Sequence, residues 1–321
     1  MITLKQLAEL SGYSVRTVQR VLSGQAHVTP EKREKILALA KEHQYVPNMA
    51  ARNLRLQKKN FVGILFEDFN VSASLNKLNS LDRMLMENGY FPMLGKVQPD
   101  NERELDQLMV HWSGVAEYAV VFHGASGNFQ DHLLKHCGRY PMKFIFVDNY
   151  GDYGDYSVKV DRQGSVYEML RHLDAMNFRH LVYCGNLKSR SGGVKMAQAD
   201  PSLRMKISRI DVEDYGFGSG EAIGGEVMRT GADIVFFDTD QMACGFYRYA
   251  AGHGIRIPDD ISVVGFDNEQ YCEMQNPPLS TLAHPAHELA ERVLQIIRTG
   301  HAVDDFPLKL KFIPRESILK K

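Results

Sequence analysis

Near the N-terminus, apolar residues recur at the three-to-four-residue spacing of an amphipathic helix. From Phe61 onward they gather instead into short runs separated by helical stretches. Thr3-Leu4-Lys5-Gln6 has the form of a capping box, which predicts a first helix with Leu4, Leu7, Ala8 and Leu10 on one face. Gly12 follows where the chain must reverse. Ser14 caps a second helix, with Val15, Val18, Val21 and Leu22 on its packed side and Arg16, Thr17, Gln19 and Arg20 on its polar side. Ser23-Gly24 ends it, and Thr29-Pro30-Glu31 opens a third helix, N-capped by Thr29, that runs to about His43. After Pro47 the chain can form a helix of about two turns, too short to be stable alone in water.

The β-rich runs fall at 61–66, 91–95, 118–122, 143–147, 157–160, 180–184, 206–212, 234–237 and 261–266. Strands alternating with helices predict an α/β body of parallel sheets covered by helices on both faces, behind an all-α head. Ligands in such folds gather at the carboxyl ends of strands. Glu67 and Asp68, Asp148, Asp161, Asp238, Asp240 and Asp267 stand at those ends.

A formal net charge of -1 hides a strong asymmetry. Residues 1–59 hold 11 Lys or Arg against four acids, a net of +7, which leaves 27 basic and 35 acidic residues in the remainder, a net of −8. A basic head on an acidic body is the footprint of polyanion binding confined to one segment, although a solvated basic helix gives the same count. At 44% apolar and 24% charged residues the chain is expected to be a soluble globular protein. The absence of a leader or a long apolar run predicts a cytoplasmic location. Cys137, Cys184, Cys244 and Cys272 are far apart, which predicts reduced core thiols.

A short second helix, reached through a glycine-containing turn and bearing two arginines on its free face, suits a major-groove reading element. Arg can hold guanine O6 and N7 bidentately. A small bundle with a solvated basic face is the competing reading. No nucleophile and base stand together, so no enzyme is expected, and no cofactor. Gly216-Phe217-Gly218-Ser219-Gly220 reads as a loop in which Ser219 caps the next helix, in preference to a dinucleotide loop. His284-Pro285-Ala286-His287 lacks a third ligand, so no metal is expected.

The motif T-L-K-Q-L-A-E-L-S-G-Y-S-V-R-T-V-Q-R-V-L-S-G at 3–24 and Y-V-P-N-M-A-A-R-N-L at 45–54 resemble the headpiece and hinge of the lactose- and purine-repressor (LacI/GalR) family. The body adds F-D-T-D-Q-M-A-C-G at 237–245, P-D-D-I-S-V-V-G-F-D-N at 258–268, P-L-S-T-L at 278–282 and P-R-E-S at 314–317, so the resemblance spans nearly the whole chain. It implies a helix-turn-helix headpiece at 1–47, a hinge helix and linker at 48–59, and a two-lobed, periplasmic-binding-protein-like effector and dimerisation core at 60–321. The sublobes would comprise about 60–157 with 284–303 and about 158–283 with 304–321. With no leucine heptads after Arg315, a homodimer is expected, bound to pseudo-palindromic operator DNA and controlled by a small effector, a sugar or sugar derivative. A solute-binding protein of the sugar-receptor type, without a DNA role, is the alternative.

The resemblance further implies DNA contacts from Thr3, Ser14, Val15, Arg16, Thr17, Gln19, Arg20, His27, Thr29, Asn48, Ala51 and Leu54. Val15 and Arg16 take the variable base-reading positions, Arg20 the guanine-reading one, and Leu54 the minor-groove wedge. Gln19 departs from the usual small serine. Effector contacts are implied at Asp68, Phe69, Asp148, Ser191, Lys195, Tyr215, Thr239, Asp240 and Asp267. Lys195 stands about where relatives carry arginine, and Thr239 replaces an asparagine. Asp240 also fits a helix N-terminal carboxylate, and Tyr215 and Asp267 fit structural parts.

Overall fold

The computed structural model describes residues 2–22, 28–45, 59–66, 72–96, 101–122, 133–134, 138–149, 154–302 and 306–318. The chain packs as two units, Met1–Lys59 and Asn60–Lys321.

In the first unit, helix α1 (Leu4–Ser11) begins in the predicted capping box. The Gln6 N–H donates to Thr3 Oγ1 at 3.3 Å, and the Thr3 N–H to Gln6 Oε1 at 2.8 Å. Gly12, at φ +75°, closes the helix in the left-handed region and donates its N–H to the Ala8 carbonyl at 3.0 Å. Helix α2 (Val15–Leu22) follows at once, with Ser14 Oγ accepting from the Thr17 N–H at 3.2 Å. Helix α3 (Pro30–Glu42) starts on proline, as expected, but the Thr29 side chain makes no capping bond. The Thr29 carbonyl accepts from the Arg33 N–H at 3.1 Å. Leu7, Ala8, Val18, Val21, Ile36 and Ala40 form the core. Leu10 is 50% exposed and lies outside that face.

The second unit opens with β1 (Phe61–Phe66), α4 (Ser72–Glu87), β2 (Phe91–Lys96), α5 (Glu102–Ser113), β3 (Ala116–Phe122), β4 (Lys143–Asn149) and β5 (Tyr156–Asp161). The chain continues through α6 (Arg162–Ala175), β6 (His180–Cys184), α7 (Lys188–Ala199), β7 (Lys206–Ile210), α8 (Phe217–Ala222), α9 (Gly224–Arg229), β8 (Ile234–Phe237), α10 (Asp240–Gly252) and β9 (Ser262–Val264). It closes with β10 (Thr281–Ala283), α11 (Ala286–Thr299), β11 (Leu308–Lys309) and β12 (Lys311–Ile313). One parallel sheet has the order β2-β1-β3-β4-β5-β11 and the other β7-β6-β8-β9, while β10 and β12 form a small antiparallel pair.

Both large sheets are covered on both faces, which is why their strands read as continuous apolar runs. On the first sheet, Leu81 and Leu85 of α4 and Val293 and Ile296 of α11 meet Ile64, Val120 and Ile145. The opposite face packs Leu105, Met109 and Trp112 of α5 on Leu65, Val121 and Phe146. On the second sheet, Val166 and Leu170 of α6 and Val194 of α7 cover Leu181, Tyr183 and Phe236, and α10 lays Met242 and Phe246 on Val182, Val235 and Phe237. Each such side chain, fully buried, contributes about 1.5–3 kcal/mol relative to exposure.

The chain passes three times between these cores. Val158 belongs to the first lobe and Val160 to the second; Leu282 lies in the second and Leu289 back in the first. Strand β11 still pairs with β5, and Leu310 has crossed again, a few residues beyond the boundary expected near 303.

The loop expected at 216–220 is mostly helix. Gly216 is the N-cap of α8 and Ser219 lies inside it, capping nothing. Gly220 is required for a different reason: a Cβ there would stand 1.9 Å from the Met242 carbonyl oxygen, because α8 and α10 press backbone to backbone. Cys184, Cys244 and Cys272 are free and buried; Cys137 lies outside the described residues.

Candidate nucleic-acid interface and ligand site

Helix α2 is fixed from one side. Val18 and Val21 are buried at 0% and 3% exposure, and the 3.6-residue period then turns Arg16 and Arg20 outward, with Gln19 and Thr17 half-buried beside them; Val15, expected on the packed side, also faces outward, because it starts the helix beyond the reach of the core that Val18 and Val21 enter. Arg16 and Arg20, four apart, share a face, as do Val15 and Gln19. Ser14 and Thr17 also share a hydrogen bond between hydroxyls at 2.9 Å, so both side chains help start the helix. Thr3 does the same for α1. The ammonium groups of Lys32 and Lys35 stand 5.8 and 5.5 Å from the Tyr13 ring, which concentrates positive charge beside the turn leading into α2. An exposed, cationic helix face on a packed three-helix support can enter a groove of duplex nucleic acid and pair with base edges and phosphates. His27, Asn48, Ala51 and Leu54 lie outside the described residues.

In the second unit, charged side chains from both lobes converge at the carboxyl ends of the strands. Asp148, next to last in β4, has φ +63°, a conformation uncommon outside glycine, and is 1% exposed. Lys77 of α4 pairs with its Oδ2. Arg162, the first residue of α6 and thus on the second lobe, reaches Oδ1 at 2.5 Å and also donates to the Asp148 carbonyl at 3.1 Å. Burial alone would raise the Asp148 pKa, but the Arg162 and Lys77 charges outweigh it and hold the carboxyl well below its usual range. The pair therefore clips one lobe to the other.

The second lobe supplies Asp267 at φ +115°, just after β9. Its Oδ1 accepts from Arg190 Nη2 at 3.4 Å and lies 3.2 Å from His284 Nε2. His284 sits in the crossover before α11, its ring edge-on to Phe266 at 5.6 Å, and the Arg190 guanidinium lies over the Phe266 ring at 4.0 Å from its centre. Burial and the Lys77 charge push the His284 pKa down to about 4, against the opposing pull of Asp267 and Asp148. Backbone strain of the kind held at Asp148 and Asp267 costs about 1–3 kcal/mol per residue and clusters at binding sites.

Arg190 corrects the expectation for Lys195. Lys195 lies on the exposed face of α7, whereas Arg190, in the first turn of that helix, points into the cluster. The sequence signal was available: an arginine immediately after Leu187-Lys188-Ser189, at a helix start following a buried strand. Ser191 is buried at 5% exposure beside it.

Asp240 is a structural carboxylate. It is 0% exposed, its Oδ2 accepts from the Glu269 N–H at 2.8 Å and its Oδ1 from the Thr281 hydroxyl at 2.7 Å, so it ties α10 to the loop after β9 and to β10. Burial, reinforced by the negative charge of Asp267, pushes its pKa up to about 7 despite those donors. Thr239 caps α10 by accepting from the Met242 N–H at 3.1 Å and donates to the Tyr215 carbonyl at 2.6 Å, which positions the half-buried Tyr215 ring. Asp238, absent from the expected site, is buried and accepts from the Tyr183 hydroxyl at 2.5 Å and from the Asn186 and Leu187 N–H groups at 2.8 Å each. Burial raises its pKa, and the nearby Arg190 charge opposes that rise. This pinning orients the start of α7 and with it Arg190. Asp68 and Phe69 lie outside the described residues. The two histidines of 284–287 part company: His284 turns inward to Asp267, and His287 faces Glu291 on the helix surface at 3.4 Å.

Residues 3–48 match the family of bacterial regulatory proteins of the lacI type, and residues 170–318 match the periplasmic binding protein-like domain. The HTH-type transcriptional regulator MalR of Clostridium butyricum is 26% identical over 92% of this chain and 92% of its own length. The chain is similar in fold to the lac repressor in its dimer crystallised with operator and the anti-inducer ONPF, with a TM-score of 0.78 at 20% identity over 99% of each chain. A LacI family transcriptional regulator from Enterococcus faecium with bound ribose shares it at a TM-score of 0.64 and 21% identity, over 81% of this chain and 99% of that one.

Proposed function

Because the chain belongs to the LacI family and is a DNA-binding transcriptional regulator, we propose that it is a cytoplasmic, homodimeric repressor that releases or grips a pseudo-palindromic operator in response to a small sugar-like effector. The observation that carries the DNA half is the outward face of α2, where Val15, Arg16, Gln19 and Arg20 stand on a helix locked by Val18 and Val21. In this reading residues 1–47 bind DNA and 48–59 form the hinge, with Asn48, Ala51 and Leu54 as its minor-groove contacts. His27 and Thr29 flank the reading helix.

The effector half rests on the convergence of Asp148, Arg190, Asp267 and His284 between the lobes, with Ser191, Tyr215 and Thr239 nearby, and on the ribose held by a relative of the same fold. A ligand bridging both lobes changes the balance at the Arg162–Asp148 clip, which is how a site between lobes can bias a distant hinge. Leu94 on the outer strand β2 and Val110 on α5, 52% and 63% exposed, offer apolar surface for a second copy.

A gel shift of the full chain against genomic fragments tests the regulator reading. One or more fragments should bind at least about a thousandfold more tightly than bulk DNA at physiological salt. If no fragment outcompetes bulk DNA, the operator reading is wrong.

A further inference from the structure

Among the described residues, the inter-lobe cluster holds two buried polar atoms with neither a hydrogen bond nor an ion pair. His284 is 5% exposed in its side chain, and its Nδ1 is buried with no hydrogen-bond partner among the described residues; Arg190 Nε is buried and equally without a partner among them. Their chemistry is opposite. A carboxylate oxygen can only accept, so the 3.2 Å contact to Asp267 Oδ1 requires the proton on His284 Nε2. In a neutral imidazole Nδ1 is then a bare acceptor. Arg190 Nε–H is always a donor. Both side chains flank Phe266 and both reach the same Asp267 oxygen, so the side chains that carry the unused acceptor and the unused donor meet at one carboxylate.

A buried polar atom without a partner carries its full desolvation penalty, and a ligand that supplies the partner removes it. On the premise that this cluster is the effector site proposed above, we infer that His284 is a specificity-determining residue, and that with Arg190 it selects an uncharged polyhydroxylated ligand over the corresponding acid, phosphate or amine. A hydroxyl donates to Nδ1 and accepts from Nε with the same atom type. An ionised carboxylate or phosphate only accepts, leaves Nδ1 empty and brings negative charge against Asp148 and Asp267. An ammonium only donates, leaves Arg190 Nε empty and meets the Lys77 and Arg162 charges. The His284 imidazole stays neutral through the physiological range because burial and Lys77 disfavour its proton, while Asp267 and Asp148 are the groups that oppose this.

The test uses the full-length protein and a thermal-shift panel of uncharged pentoses, hexoses, disaccharides and polyols, each beside its aldonic acid, phosphate ester and amino analogue, with free nucleobases as a separate arm. An uncharged member should raise the melting temperature more than its charged analogues, and calorimetry should place its affinity at least about tenfold above theirs. His284→Gln, which can offer a donor to Asp267 and an acceptor to the ligand, should hold affinity within a few-fold. His284→Leu should lose at least about tenfold. If the Leu variant fails to fold, the readout is the wild-type 15N spectrum, where the Nδ1 resonance of His284 should move on ligand addition while Nε2 stays protonated. A purely structural histidine would leave Nδ1 unmoved, and that result overturns the inference. Preference for an acid, phosphate, amine or nucleobase overturns it while leaving the effector site standing. No response from any compound overturns both, the unpaired atoms then being satisfied by water.

Discussion

At the scale of single residues, the molecule separates side chains that face a partner from those that hold the fold. Arg16 is exposed on α2 and packs into no core, so Arg16→Ala should leave the melting temperature nearly unchanged and relax base preference at one operator position, by about 1–3 kcal/mol of discrimination. Selection from a randomised operator library reads this directly; an unchanged preferred sequence would remove Arg16 from the reading face. Asp240 is the opposite case. Its folded pKa is raised to about 7 from the usual 3.8, so the folded chain keeps a proton that the unfolded chain releases. The resulting stabilisation is complete below pH 3.8 and is lost as pH rises through about 7. Asp240→Asn cannot titrate, so the stability of the native chain relative to this variant should fall between about pH 4 and 8, by up to about 4 kcal/mol. His284 runs the other way: its depressed pKa gives stability that is present above 6.5 and lost as pH falls toward about 4. The two trends overlap, which is why the comparison must be made as a difference between native chain and variant across pH. A difference that stays flat would mean that Asp240 is ionised throughout and satisfied by Glu269 and Thr281.

At the scale of elements, the start of each helix was legible and the contact between helices was not. The capping box at Thr3 and Gln6, the Ser14 cap and the proline at the head of α3 are local devices, readable from residues three apart. The close approach of α8 and α10 is not local. In Gly245 an added Cβ would meet the Phe217 carbonyl oxygen at 1.9 Å and the Glu221 nitrogen at 2.7 Å, so Gly245→Ala should destabilise by about 1–3 kcal/mol through enforced separation of the two helices. Gly252→Ala, in the same helix with nothing within 4 Å, should be neutral or stabilising by up to about 1 kcal/mol. Denaturant melts of the two variants decide it; equal effects would show that helix propensity and not packing governs both sites. The last strands, β10 to β12, have two or three residues each, too few for periodicity to reveal, and they form because the crossovers bring β10 beside β12 and β11 beside β5.

At the scale of the whole molecule, the chain consists of a basic unit of residues 1–59 and an acidic unit of 60–321 with separate cores. A chain cut after Lys59 should therefore keep the cooperative unfolding and the ligand-induced thermal shift of the second unit while losing operator affinity altogether. Calorimetry and gel shift on the fragment test this, and loss of cooperative unfolding would show that the first unit is needed to stabilise the second.

The helical head, the alternating α/β body and the acidic strand ends were legible before any folding, because helical and strand periodicities, caps and charge asymmetry are written in neighbouring residues. The sequence also marked Asp148 and Asp267 by their place after strands. The folded chain was needed to show that Arg190 and not Lys195 supplies the buried cation, that Asp240 is consumed by Glu269 and Thr281, and that His284 stands between the lobes with an acceptor unused among the described residues. The physical reason is the same in each case: a side chain's role is set by which atoms reach it across the fold, and the crossovers bring together residues as distant in the chain as Lys77, Asp148, Arg190 and His284.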